Sequence, residues 1–91
     1  MSDKDYLKEG DGYVDITLAK PATIAGAKVS SIRMREPTVS DLEAGQKNAG
    51  NDAAREITIF ANLCEVSPED LRGLVLRNYA RLQAAYQLFT D

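Results

Sequence analysis

The sequence predicts an α+β fold, an N-terminal β-hairpin followed by three or four short packed α-helices, and three observations predict it. Apolar and polar residues alternate from Tyr13 to Ala19 and again, with one interruption, from Lys28 to Arg35, the period of half-buried strands. Beyond Ser40 the apolar residues recur instead at three- and four-residue spacing, the period of helices with one buried face. The second half also carries helix-start signals, of which Ser67-Pro68-Glu69-Asp70 is the clearest.

Residues 1–12 read as a polar, flexible leader, and residues 13–91 as a single domain. In the first strand Val14, Ile16 and Leu18 point one way while Asp15 and Thr17 point the other. Pro21 lacks the N–H that a ladder needs, so it ends this strand or confines it to an edge. A loop over Ala22–Ala27 follows, with Gly26 free to take a positive φ. In the second strand Val29, Ile32 and Met34 break strict alternation once, and a bulge near Ser30–Ser31 restores a common face. Two strands are marginal in water, so the helical remainder must cover them.

Glu36-Pro37 ends the hairpin, and Ser40-Asp41-Leu42-Glu43 fits a capping box, with Thr38 as an alternative cap two residues earlier. This first helix is short, because Gly45 weakens it and Asn48, Gly50 and Asn51 break it. Asp52 then caps a second helix with Ala54, Ile57, Phe60 or Ala61, and Cys64 on one face. Ser67 caps a third, with Pro68 at its first position and Glu69 and Asp70 at the positive end of its dipole. That helix carries Leu71, Leu74 and Val75, and Gly73 shortens it. Asn78 either caps a separate last helix or lies in a continuous one. Leu76, Tyr79, Leu82, Tyr86 and Phe89 recur there at helical spacing.

Composition narrows the function. The chain has 91 residues, a net charge of −3, one cysteine and no histidine. The commonest general base and zinc ligand are therefore absent, and Cys64 has no internal disulfide partner. No serine or threonine stands in a nucleophile-elbow or phosphate-loop pattern, and Glu69-Asp70 is better explained as a helix start. The expectation is a protein that is not an enzyme and holds no cofactor or metal. An acidic balance argues against nucleic acid as a partner. No apolar run approaches the roughly 20 residues of a membrane span. The charged N-terminus is unlike a secretory signal, so the protein is expected to stay in the compartment where it is made.

An ordered series of short words carries a family resemblance. Lys20-Pro21 closes one strand, and the next runs into Arg35-Glu36-Pro37-Thr38, with Asp41-Leu42 opening a helix. Leu63-Cys64 precedes Ser67-Pro68-Glu69-Asp70-Leu71, Leu74 and a terminal Tyr79-to-Phe89 helix. From Tyr13 to Phe89 the chain resembles the small tail assembly chaperones of contractile-tailed, Mu-type bacteriophages and prophages. Asn78 departs from the aspartate that the resemblance leads one to expect. The resemblance implies a protein of the bacterial host cytoplasm that binds the phage tape measure protein and keeps it soluble. It also implies help in tail-tube assembly, absence from the mature virion, and a longer form made by ribosomal frameshifting. Tail tube protein and that longer form join the tape measure protein as implied partners, and self-association is left open. Two other classes compete: a structural head–tail connector or tail component, and a small acidic regulatory protein that binds a host factor.

A helical client needs an apolar groove or helix face to cover its stripes. The last helix offers Arg77, Arg81, Tyr86 and Phe89 as a partner-binding set, since tyrosine and arginine are enriched where binding energy concentrates. The structural alternative stays open for each: a solvated face for Arg72, Arg77 and Arg81, and core for Tyr79 and Leu82. Tyr86 and Phe89 lie in the last turns and fit either reading.

Overall fold

Two tight turns fold the first third of the chain into an antiparallel sheet of order β1-β2-β3. The strands are β1 (Leu7–Gly10), β2 (Tyr13–Ile24) and β3 (Ala27–Arg35). Helices α1 (Val39–Lys47), α2 (Asp52–Cys64), α3 (Pro68–Arg72) and α4 (Leu76–Thr90) follow. The computed structural model describes residues 5–47 and 50–90. The α+β expectation holds, with a three-stranded sheet in place of a hairpin and four helices.

The additional strand comes from the segment read as a leader. Asp11-Gly12 is a hairpin turn with Gly12 at φ +83, and it pairs Leu7 with Ile16 and Gly10 with Tyr13. Leu7 thereby packs against the core beside β2. Residues 1–4 of that segment lie outside the described residues. The β2–β3 connection is also tighter than the loop expected over Ala22–Ala27. Ile24 pairs with Ala27, leaving only Ala25 and Gly26, both left-handed at φ +52 and +81, as a type I′ turn requires. The Ala25 N–H donates to Asp70 Oδ2 of α3 at 3.0 Å, which ties the hairpin tip to the helical layer.

The irregularity predicted near Ser30–Ser31 falls on the opposite strand. Thr17 pairs with Ser31 and Ala22 with Val29, so the extra residues are Leu18–Pro21 of β2. Proline is tolerated there because the ladder is already interrupted. α4 supplies the missing partners. Asn78, 1% exposed, accepts from the Ala19 and Lys20 N–H groups at 2.8 and 3.1 Å. Its Nδ2 donates to the Lys20 carbonyl at 2.9 Å. Three hydrogen bonds in one network fix the amide orientation, since the reverse would face N–H against N–H. Arg81, one turn on, donates to the Thr17 carbonyl at 2.8 Å, and its guanidinium lies 4.2 Å from the centre of the Tyr6 ring. Asn78 is thus neither the expected cap nor part of a surface; it sits inside α4, and α3 and α4 are separate helices.

The core joins both layers: Val14, Ile16, Leu18, Ile32 and Met34 from the sheet meet Ile59, Phe60, Leu63, Leu71, Leu82 and Ala85 from the helices. Phe60 lies between Tyr79 and Tyr86, with ring centroids 5.6 and 5.3 Å away. The Tyr79 hydroxyl donates to Glu56 at 2.7 Å, which keeps its polar end paired. Gly45 is buried on α1, and a Cβ there would come within 2.6 Å of Ile59. The glycine read as weakening α1 is what lets α1 approach α2. Leu76, expected on the apolar face of α4, is 85% exposed.

Caps also moved. Thr38 rather than Ser40 begins α1: Asp41 Oδ2 accepts from its N–H at 2.7 Å and from its hydroxyl at 3.0 Å. Asn51 rather than Asp52 caps α2, accepting from the Ala54 N–H at 2.8 Å. Ser67 caps α3 as expected, accepting from the Asp70 N–H at 3.1 Å. Asn48, read as a breaker of α1, lies outside the described residues.

Replacing Asn78 by leucine keeps its approximate size and strips the kink in β2 of all three hydrogen bonds. Unpaired buried backbone groups cost about 1–3 kcal/mol each, partly recovered by relaxation. Asn78→Leu is expected to lower stability by about 2–4 kcal/mol, read as a shift of the urea midpoint at unchanged slope.

Candidate functional site

β3 is the outer strand of the sheet, with β2 on one side and, among the described residues, no strand on the other. Next to it runs an open groove of about 300 Å³ between β3 and the C-terminal end of α2. Ile32, Leu63 and Cys64 form its buried floor, and Ile24, Val29 and Val66 line it half-buried. Ser31, Arg33, Arg35 and Glu65 supply polar groups around this apolar surface. The groove exists because α2 ends at Cys64 and the chain turns sharply there. Glu65 is left-handed at φ +56, and the Val66 N–H reaches back to the Ala61 carbonyl at 3.0 Å, a helix-terminating bond of the Schellman kind.

Two of these polar groups, Arg33 and Arg35, are held by ion pairs. Arg35 grips Asp41 through two bonds of 2.9 Å, and Asp41 is 7% exposed. Arg33 makes a similar two-pronged contact with Asp15 at 2.7 and 3.0 Å, and its guanidinium stacks 3.9 Å from the centre of the Tyr13 ring. The Arg35 guanidinium, outweighing the cost of burial and aided by Thr38, holds the Asp41 carboxyl well below the usual carboxylate range. Burial alone pushes the Cys64 thiol up to about 12, so at neutral pH it is a protonated, apolar part of the floor.

The residues nominated from the sequence do not come together as one face. Arg77 is exposed at a shallow concavity that it lines with Lys20, Val75 and Leu76. Arg81 is engaged with Thr17 and Tyr6. Tyr86 packs on Phe60, and Phe89 is half-buried against the core. Arg72 pairs with Glu69 one turn earlier. Sequence reading missed the β3 groove because its walls come from segments far apart in the chain. Among the described residues no helix is long and apolar enough to cross a membrane.

An apolar groove beside an unpaired strand edge, on a domain this small, fits a protein that works by binding another polypeptide. Residues 15–91 match the family model described as phage tail assembly chaperone proteins, E, or 41 or 14. The match covers most of the chain, which therefore belongs to that family. No curated protein and no solved structure matches the chain.

Asp41 sets a pH dependence. Its folded pKa is depressed, so its contribution is fully present above the unfolded value near 4 and is lost as pH falls below that. Arg35 is partly open to solvent, which tempers the pair. Asp41→Asn is expected to cost about 1–2 kcal/mol at neutral pH. Its difference from the parent should shrink below pH ~4, measured by urea titrations across the acid range.

Proposed function

We propose that this chain is an assembly chaperone that binds the phage tape measure protein, keeps it soluble, promotes tail-tube assembly, and leaves before the virion is complete. The tail in question is of the contractile, Mu-like type, and the site of action is the host cytoplasm. The observation that carries this reading is the family match over residues 15–91, and the groove beside β3 supports it. A tape measure protein is an extended helical client whose apolar stripes aggregate when uncovered. A helix laid in the groove would cover such a stripe against Ile24, Val29 and Val66, and the β3 edge offers backbone groups to an extended flank. The chain acts by binding and release and turns over no substrate. Tail tube protein and a frameshifted longer form of the same chain are its further partners.

The ion pairs give the groove a fixed frame. Arg35 is locked to α1 through Asp41, and Arg33 to β2 through Asp15. These two side chains present polar rims with their charges already paired. Affinity then rests on apolar burial, at about 25 cal/mol per Å² of surface removed from water. That fits a client bound for assembly and later released.

Co-expression with the tape measure protein of the same genome tests the reading. The expected result is a client that becomes soluble and co-purifies with this chain. Val29→Asp, at the half-buried wall of the groove, should lower the soluble client about tenfold or more, the cost of placing a charge in an apolar contact, while the domain still melts cooperatively. A client that stays insoluble beside abundant folded chain, with or without the frameshifted form, defeats the proposal. Presence of the chain in purified particles would point instead to a structural tail component.

A further inference from the structure

Two hydrogen bonds fix which backbone groups stand on the free edge of β3. The Glu36 N–H donates to the Gly12 carbonyl at 3.0 Å, one step beyond the pairing of Tyr13 with Arg35. In an antiparallel ladder, residues whose backbone groups turn toward the partner strand alternate with residues whose groups turn away. Gly12, Val14 and Ile16 therefore face β3, and Glu36, Met34 and Ile32 face β2. The Thr17 N–H donates to the Tyr6 carbonyl on the β1 side at 2.8 Å, in agreement with that alternation. On β3 the N–H and C=O groups of Ser31, Arg33 and Arg35 consequently point away from the sheet. Among the described residues no strand meets them, and all three residues line the groove beside α2.

The two faces of that edge differ in chemistry. On the core face Ile32 lies with Leu63, Cys64 and Val66 along the apolar part of the groove. On the outer face stand Arg33 and Arg35, with side chains 60% and 42% exposed. Arg33 holds Asp15 through Nε and Nη2, which leaves its Nη1 donors. Arg35 holds Asp41 through both Nη groups, which leaves its Nε. Glu65, exposed at the C-cap of α2, is the one acid lining the groove among the described residues. Lys28 near the start of β3 and Glu36 just past its end are both exposed.

We propose that a partner polypeptide adds one antiparallel strand of about five residues to β3, with acids opposite Arg33 and Arg35 and apolar residues between them. Residues directly opposite one another share a face of the sheet. Acids at those two positions therefore reach the guanidinium donors that Asp15 and Asp41 leave over. The intervening side chains turn inward and fill the groove against Ile32, Leu63, Cys64 and Val66, where Glu65 would oppose an acid. Antiparallel pairing is the stronger of the two directions, and only a backbone matches the alternating N–H and C=O groups of Ser31, Arg33 and Arg35. Charge complementarity selects a partner and not a second copy, because β3 laid against β3 sets arginine against arginine. Such pairing rests on the reading of the groove as a partner site, and it holds whichever protein supplies the strand.

Labelled peptides that alternate valine with glutamate, long enough to span β3, test it on the unaltered full chain. Binding by fluorescence anisotropy is expected at roughly 10 μM–1 mM, the range for a contact this small. A peptide with lysine in place of glutamate should bind about tenfold more weakly. Methylating the glutamate N–H groups, which face β3, should weaken binding about tenfold or more. Methylating the valine N–H groups, which face solvent, should leave it unchanged. In saturating peptide, amide exchange at Ser31, Arg33 and Arg35 should slow about tenfold. Absence of binding overturns the proposal, as does equal binding of the glutamate and lysine peptides. Indifference to methylation of the glutamate N–H groups, or protection that falls elsewhere in the chain, overturns it too. The peptides carry no tape measure sequence, so the two readings fail separately. A client kept soluble while every peptide fails defeats the strand alone, and peptides that bind beside an insoluble client uphold the strand without that client.

Discussion

The fold depends on how α4 repairs a broken strand. Past Thr17, β2 has lost both its regular neighbours: β1 begins at Leu7, opposite Ile16, and the register with β3 slips between Thr17 and Ala22. Backbone groups left without a ladder in a partly buried region are costly. Asn78 answers three of them and Arg81 a fourth, so one face of a helix does the work of a strand edge. Asparagine suits the position because it both accepts and donates. An aspartate could receive the two N–H groups but, when ionised, could not donate to the Lys20 carbonyl. This docking also sets the depth at which Leu82 and Ala85 enter the core, and with them the Phe60, Tyr79 and Tyr86 contacts.

A second anchor works at the other end of the sheet. Arg35 closes β3 and Asp41 opens α1, and the pair spans the short Glu36-Pro37-Thr38 connection. Asp41 has two tasks at once: it binds the arginine and it returns to the Thr38 N–H as the reciprocal half of a capping box. α1 is thereby aimed so that Gly45 meets α2 closely. With both ends of the sheet fixed to helices, the β3 side is left as the open flank, and the groove there follows from where α2 stops.

Much of this was legible in the residues. Alternation in Val14-Asp15-Ile16-Thr17-Leu18, the Ser67-Pro68 start and the helical spacing of Tyr79, Leu82 and Tyr86 each reported their element directly, because each is a local preference. The errors share a cause. Leu7-Lys8-Glu9 is too polar and too short to read as a strand, although Asp11-Gly12 is a strong hairpin signal. Ser40 and Thr38 are equivalent caps locally, and the choice fell to Thr38 because Arg35 holds Asp41 in place from another element. The bulge went to β2 because Asn78, 58 residues distant from Lys20, can satisfy it there. Of the nominated surface, Arg81 and Tyr86 have internal partners for the same reason: spacing along a helix shows which residues share a face, not what the face meets.

The three arginines of the last third illustrate what separates a structural charge from an available one. Arg72 has Glu69 within its own short helix, and Arg81 has a carbonyl and an aromatic ring. Arg77 lies between them in sequence, yet the turn of the helix carries it away from both. It stands with Lys20 of the irregular stretch of β2, beside Leu76. Exposed ion pairs add little to stability, so the lack of an ion pair at Arg77 and Lys20 among the described residues costs the fold almost nothing. Leaving Leu76 in water does carry a cost, because burying such a side chain is worth about 1.5–3 kcal/mol. Packing therefore gives no reason for a leucine at that position.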